Sequence, residues 1–126
     1  MIDVQKQIAY WRKGAIEDFP VGKHLVIEGN IRHGLFFIHL SLEKIIKAHV
    51  CNHTKDLAPR THNLLRLIQL TKIVCSEKDL DLIADMNHYN IEGRYPDSLE
   101  ELPSGEDVQF ILHESERVFE WLLDLL

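Results

Sequence analysis

The stretch that decides the fold is FFIHLSLEKIIKAHV, residues 36–50, in which apolar side chains recur at the spacing of an α-helix. Its apolar arc is wide, which is typical of the central helix of a bundle. Glu43 and Lys47 interrupt it four residues apart, with the carboxylate on the N-terminal side, the favoured order for an ion pair on a helix. Because apolar residues surround these charges, we expect them near buried surface, where a charge needs a partner.

Helical spacing extends from this stretch in both directions, and no convincing β-strand alternation occurs. Toward the N-terminus, Asp3 is a good N-cap for a first helix, which Phe19 and Pro20 are expected to interrupt. Helical structure then resumes over residues 21–27 and ends at Gly29 and Asn30. The central helix is predicted over residues 30–51.

Toward the C-terminus, a polar loop that ends at Pro59 precedes a short third helix carrying Leu64, Leu65 and Ile68. Two capping signals follow, at residues 76–79 and 104–107, and each predicts the start of a further helix. The last helix has the cleanest amphipathic stripe in the chain. We therefore predict a single all-α domain over residues 1–126, an up-and-down bundle of four or five antiparallel helices.

The composition, with 45% hydrophobic and 27% charged residues, is that of a soluble globular protein. No apolar run is long enough to span a membrane, and the N-terminus lacks the pattern of a signal peptide. Cys51 and Cys75 are too few for a disulfide framework, so we expect a reduced, cytoplasmic protein without membrane contact. The net charge of −6 argues against nonspecific wrapping of nucleic acid but leaves room for a local basic pocket.

A second polar segment, NHYNIEGRYPD at residues 87–97, ends in Arg94, Tyr95, Pro96 and Asp97. Arg94 is the obvious partner for Glu43, so we expect the two side chains within salt-bridge distance, as two halves of one site. An arginine there can form two parallel hydrogen bonds to a phosphate, while Tyr95 stacks on a base. The structural alternative is that Arg94 caps a helix end or pairs with Glu43 and Tyr95 only packs.

His62 and Lys47 are the other candidate ligand-binding residues. His62 begins the third helix, where backbone N–H groups favour anions, although a histidine there can also act as a cap bonded to the loop. Lys47 could supply a second cation to the site. The commoner fate of such a lysine is a solvated helix face.

Three short motifs occur in order along the chain: E-K-x-x-K-A at residues 43–48, T-H-x-L at 61–64 and R-Y-P-D at 94–97. Together they resemble the HEPN family, the small helical domains named for nucleotide binding in higher eukaryotes and prokaryotes, and the resemblance covers most of the chain. It implies a homodimer that binds a nucleotide or an RNA end. It also implies a minimal nucleotidyltransferase as partner, the two forming a toxin–antitoxin pair.

A ribonuclease is the competing class, because many HEPN domains cleave RNA without metal through an R-x4-6-H motif. Here Arg32 and His39 alone match that motif, about two turns or roughly 10 Å apart on a helix. The family usually carries it on a later helix, near the position of Arg94, and no histidine follows Arg94 at the right spacing. We therefore expect binding rather than catalysis, with a ribonuclease toxin and a non-catalytic interaction scaffold as alternatives.

A metal site is weighed because His49 and His53 lie four residues apart, on one face of a helix. No third ligand has a recognisable spacing, and Cys51 points elsewhere on a regular helix. No glycine-rich phosphate loop, nucleophile elbow or C-x-x-C motif is present either. We expect neither a resident metal nor another cofactor.

The wide apolar arc of the central helix also predicts a homodimer, because it exceeds what one small bundle should cover. Exposed apolar surface of that kind usually marks an interface. The dimer would be isologous, like most homodimers.

Overall fold

The computed structural model describes residues 2–90 and 102–126, and these ranges contain five α-helices and no strand. The helices are α1 (Val4–Ile27), α2 (Ile31–Thr54), α3 (Leu64–Gln69), α4 (Glu77–Met86) and α5 (Glu106–Asp124), and a 3-10 turn (Asn87–Tyr89) follows α4. The prediction of an all-α bundle is confirmed. Within the described ranges, none of the helices is long and apolar enough to cross a membrane.

Helix α1 begins where the sequence predicts, with the Asp3 carboxylate accepting a hydrogen bond from the Lys6 backbone N–H at 3.1 Å. The predicted interruption at Phe19 and Pro20 is wrong, because α1 continues through both residues. Pro20 lies on the exposed side of the helix, where water can solvate the carbonyl that its missing N–H leaves free. Phe19 and Gly22 are buried on either side of it, so packing stabilises a helix that is continuous through the proline.

Helix α2 is the central element, as its apolar pattern predicts. From Ser41 to Cys51 every residue is buried except Lys44, which is partly buried. Helices α1, α3 and α5 pack against it. The helices of the same chain therefore cover the arc from Ser41 to Cys51, whereas Phe36, Phe37 and Leu40 nearer the start of α2 are only partly buried. The homodimer stays a prediction.

Helices α1 and α2 approach so closely that their backbones touch. A Cβ atom on Gly22 would lie 2.8 Å from the carbonyl oxygen of Gly34, and one on Gly34 would lie 2.7 Å from the backbone nitrogen of Val26. The turn between the two helices requires a left-handed residue, which Gly29 supplies with a φ of 90°. Glycine at these positions therefore allows the tight α1–α2 hairpin that positions the polar residues of α2.

Helix α4 begins at the first capping signal, with the Ser76 hydroxyl accepting from the Asp79 N–H at 3.1 Å. The Asp79 carboxylate does not reach back to Ser76, because it accepts from the Arg117 guanidinium of α5 at 2.6 Å. The second capping signal, at residues 104–107, correctly predicts the start of a helix but not a side-chain cap. Gly105, with a φ of 58°, occupies the N-cap position of α5, and no side chain caps that helix.

Arg117 also binds Glu114, with Nε donating to Oε2 at 3.2 Å, and the Lys78 ammonium lies 3.0 Å from Oε1 of the same carboxylate. These two cations hold the pKa of Glu114 at about 2, below its ordinary value of 4.5. Because the folded-state pKa is depressed, the contribution of Glu114 to stability is complete above about pH 4.5 and is lost as the pH falls toward 2.

We therefore expect Glu114→Gln to flatten the acid dependence of unfolding. The wild type should lose more stability between about pH 5 and about pH 2.5 than this variant, as measured by urea unfolding at each pH. Glu120→Gln, on the exposed face of the same helix, is the matched control and should keep the dependence of the wild type. Equal pH dependence in wild type and Glu114→Gln would contradict the assignment.

Candidate functional site

The Glu43 carboxylate is the centre of a buried polar cluster where α2 faces the segment before α3. Glu43 is only 3% exposed. Its Oε2 accepts a hydrogen bond from Lys47 Nζ at 3.0 Å, and its Oε1 lies 2.9 Å from His62 Nδ1. Both carboxylate oxygens are therefore engaged, one by a cation and one by an imidazole.

Lys47 is not on a solvated face, so that expectation is wrong. It is 5% exposed, and its ammonium lies over the Trp11 ring, 5.0 Å from the ring centroid. The carboxylate and the face of the indole both attract the cation, which offsets part of the cost of removing it from water. Trp11 comes from α1, so the close α1–α2 hairpin completes the environment of this ion pair.

His62 is the part of the cluster that reaches the surface, with about half of its side chain (47%) exposed. Because a carboxylate oxygen accepts at Nδ1, the ring carries a proton on that nitrogen, and its Nε2 edge lies on the side away from Glu43. His62 is not the helix cap. Asn63 caps α3 instead, with its Oδ1 accepting from the Arg66 N–H at 3.2 Å.

Asn87 connects this cluster to the start of the second polar segment. Its Oδ1 accepts from the Leu64 N–H at 2.8 Å, and its Nδ2 donates to Asn63 Oδ1 at 3.2 Å. Asn87, the first residue of the NHYNIEGRYPD segment, therefore lies beside the start of α3. The N-cap of that helix, Asn63, directly follows His62 in the sequence. The 3-10 turn that contains Asn87 also contacts α2, so the start of the second polar segment lies close to the elements that carry Glu43 and His62.

His39 is a buried residue of α2 that contacts the backbone of His62. It is 1% exposed, and its Nε2 donates to the His62 carbonyl at 3.1 Å, which fixes the backbone of the exposed histidine. Burial lowers the pKa of His39, although the nearby Glu43 charge opposes that effect. Arg32 lies exposed at the start of α2. The R-x6-H pair thus has its arginine in solvent and its histidine in the core.

His49 and His53 have different environments. His49 is buried and its Nε2 donates to the Leu122 carbonyl at 2.7 Å, and burial lowers its pKa, whereas His53 is exposed. This hydrogen bond of His49 therefore links α2 to α5. Over residues 2–90 and 102–126, no group of three histidine, cysteine or acidic side chains is arranged to hold a metal ion. Cys51 and Cys75 are free thiols.

Arg94 and Tyr95 lie outside the described residues, so the Glu43–Arg94 pair stays a prediction. Lys47 supplies Glu43 with a fixed cation on its own helix, so one oxygen of the carboxylate is paired independently of Arg94. The contact between the Trp11 ring and the Lys47 ammonium was not predicted. The hydrogen bond from the His39 ring to the His62 carbonyl was not predicted either, because a contact between distant segments leaves no pattern in the sequence.

These features define a small helical bundle whose central helix presents a buried Glu–Lys pair to an exposed histidine. The sequence profile of the HEPN domain matches residues 8–125, and the chain belongs to the HEPN domain family. Among solved structures, a chain described as TT1696 from Thermus thermophilus has a similar fold, with a TM-score of 0.75 at 16% sequence identity. That match covers 95% of this chain and 98% of the other. A comparison with curated proteins finds no match to the sequence.

Proposed function

We propose that this HEPN domain binds the phosphate-bearing end of a nucleotide or an RNA and works with a partner protein rather than cleaving RNA alone. The observation that carries the proposal is the half-exposed His62 imidazole, held at Nδ1 by the buried Glu43 carboxylate. In the doubly protonated ring, Nε2 of this fixed imidazole can donate to a phosphate oxygen, because the Nδ1 proton is already bonded to Glu43. In this proposal Arg94 supplies the fixed positive charge and Tyr95 the ring for a base.

Lys47 has a different role in the proposed site. Its ammonium is buried against Glu43 and Trp11, so its charge is largely used inside the protein. We assign it to positioning, because it holds the carboxylate that in turn orients His62. The affinity for phosphate would then come from His62 and Arg94, with Lys47 acting through Glu43.

The binding experiment is a titration with a 5′-phosphorylated RNA oligonucleotide on wild type, Arg94→Ala and His62→Ala. Removing a charge-assisted hydrogen bond costs about 1.5–3 kcal/mol, so each variant should bind on the order of ten- to a hundredfold more weakly. Binding should also weaken as salt rises. Arg12→Ala, which removes an exposed arginine of α1, is the matched control and should leave the affinity unchanged. Unchanged binding in both site variants would contradict the proposal.

A metal-independent ribonuclease is the second candidate, and one observation favours it. A carboxylate bonded to one nitrogen of a histidine is the arrangement that orients a general base. The proton-transfer group would then be His62, since His39 is buried beneath it. RNA cleavage in the presence of EDTA that is lost in His62→Ala would establish the enzyme. Loss in Arg32→Ala, which changes an exposed residue at the start of α2, would instead favour the Arg32–His39 pair. Our first proposal expects no cleavage.

The proposed partners are a second copy of this chain and a minimal nucleotidyltransferase, with which it would form a toxin–antitoxin pair. Apolar side chains exposed on α1 support an interface there. Tyr10 and Val21 are 65% and 45% exposed and lie about three helical turns apart on one side of the helix. The homodimer is therefore expected to use α1.

Light scattering at micromolar concentration should give about twice the 14.7 kDa mass of the chain. Replacing Tyr10 and Val21 together by lysine should shift the protein to the single-chain mass, because two charges would be buried in the interface. Leu57→Lys, at an exposed apolar residue between α2 and α3, is the control and should leave the mass unchanged. A wild type that scatters only as 14.7 kDa would rule out the dimer.

A further inference from the structure

A groove of about 650 Å³ lies between α4 and α5. Its apolar lining includes Leu82 of α4 and Phe110 and Ile111 of α5. Phe110 is 62% exposed, so the groove leaves a large aromatic side chain in contact with water. None of the residues that line this groove belongs to the Glu43–His62 cluster. The groove is therefore a separate apolar surface, without a cover in the part of the chain that the structure describes.

The walls of this α4–α5 groove are acidic. Glu77, Asp81 and Asp85 follow one another at four-residue intervals along α4, which places them on one side of the helix, and Asp107 adds a carboxylate on α5. None of these four carboxylates forms a salt bridge with any residue in the ranges 2–90 and 102–126. Their negative charges are thus available to a cationic partner.

The one basic residue that lines the groove does not neutralise these carboxylates. Lys78 Nζ lies 3.0 Å from Oε1 of Glu114, the fifth acidic residue of the lining, and Arg117 binds the same carboxylate. Lys78 is therefore engaged by Glu114, and the groove keeps a net negative charge.

Helix stability explains only two of the four unpaired carboxylates. Glu77 and Asp107 lie in the first turns of α4 and α5, where a negative charge interacts favourably with the positive end of the helix dipole. Asp81 and Asp85 form a like-charge pair four residues apart, which destabilises a helix. Asp85 also lies in the last turn of α4, where no basic residue offsets the negative end of the dipole. This pair therefore costs stability in the free protein, whereas a bound cation would relieve its repulsion.

We propose that the α4–α5 groove docks a basic amphipathic helix of a partner protein. Apolar side chains of that helix would pack against Phe110 and Ile111, as in other helix-in-groove complexes, and flanking lysines or arginines would pair with Asp81 and Asp85. Charge complementarity selects this occupant, because the same carboxylates repel an acidic segment or a nucleic acid. The inference does not rest on the function proposed for His62, since the two surfaces share no residue.

The test is fluorescence anisotropy with a labelled helical peptide, in which a stripe of leucines is flanked by lysines, titrated with the full chain. The wild type should bind this peptide, and binding should weaken as salt rises. The same peptide with glutamates in place of the lysines should not bind. Changing Asp81 and Asp85 together to asparagine should weaken binding of the lysine peptide by at least about tenfold, and Phe110→Ala should weaken it by a similar factor.

Two controls separate docking in the groove from other effects. Changing Glu120 to glutamine and Asp124 to asparagine removes an acidic pair with the same spacing and charge from exposed positions of α5 outside the groove, and it should leave the affinity unchanged. The variant in which Asp81 and Asp85 are asparagines should melt no lower than the wild type, because it loses a like-charge pair. Weaker binding in that variant would then report a lost contact and not a lost fold.

Four outcomes overturn the proposal. The lysine peptide fails to bind the wild type, or the change at Glu120 and Asp124 weakens binding as much as the change in the groove, which would indicate attraction to the overall negative charge. Spermidine binds the groove as tightly as the peptide and displaces it, which would indicate a site for a small polyamine. Phe110→Lys lowers the mass of the free protein in light scattering, which would indicate that a second copy of the chain covers the groove.

Discussion

Replacing Lys47 by alanine is expected to lower the free energy of unfolding by about 3–5 kcal/mol, because it leaves the buried Glu43 carboxylate without its cation. Glu43 and Lys47 are 3% and 5% exposed, so water has little access to Oε2, the carboxylate oxygen that loses its partner. His62 stays beside Oε1 but is half in solvent, and it compensates only in part. Urea unfolding at neutral pH measures the loss.

Two further variants identify the cause of that loss. Lys44→Ala removes the other lysine of this part of α2, which forms a more exposed ion pair with Asp18. It should lower the free energy of unfolding by about 1 kcal/mol or less. Changing Glu43 and Lys47 together to leucine removes both charges and should restore most of the stability, since buried pairs are often replaced by apolar residues without loss. A double variant as unstable as Lys47→Ala would show that the uncompensated charge is not the reason.

The second large effect is expected from Gly22→Ala, which should destabilise the protein by about 3 kcal/mol or more through overpacking. The new Cβ would lie 2.8 Å from the Gly34 carbonyl oxygen and 2.9 Å from the Ile38 backbone nitrogen. Both atoms belong to the backbone of α2, so the helices must separate to admit the methyl group. Thermal unfolding should show a lower melting temperature.

Gly14→Ala is the matched control on the same helix. Its Cβ would meet the Cδ atom of Lys44 at 3.0 Å, and that side chain is flexible enough to move. Replacing a glycine by alanine inside a helix gains about 0.5–1 kcal/mol, so this variant should be as stable as the wild type or more so. Similar losses for Gly14→Ala and Gly22→Ala would contradict the close backbone contact.

The fold was largely predictable because its helices carry local signals. The Asp3 and Ser76 caps begin α1 and α4 as expected, and the apolar stripe of the last helix matches α5. Pro20 misled the prediction, since a proline is a strong local signal for a break. The burial of Phe19 and Gly22 against the rest of the bundle overrides it, and such tertiary packing leaves no mark in the local sequence.

The site was predictable only in outline. The spacing of Glu43 and Lys47 correctly indicated a pair on one face, and His62 was a candidate ligand-binding residue without a predicted contact to Glu43. The buried position of Lys47 depends on the Trp11 ring. The position of His62 depends on the hydrogen bond that its backbone carbonyl accepts from the His39 ring. These contacts join residues far apart in sequence, so they require coordinates.

The most direct measurement is the side-chain NMR signal of His62 during addition of a 5′-phosphorylated RNA oligonucleotide, with the signal assigned through His62→Ala. We expect the His62 ring resonances to shift and saturate, while those of His24 and His113, exposed on α1 and α5, do not. An oligonucleotide that fails to bind, or that binds without moving the His62 resonances, would contradict it.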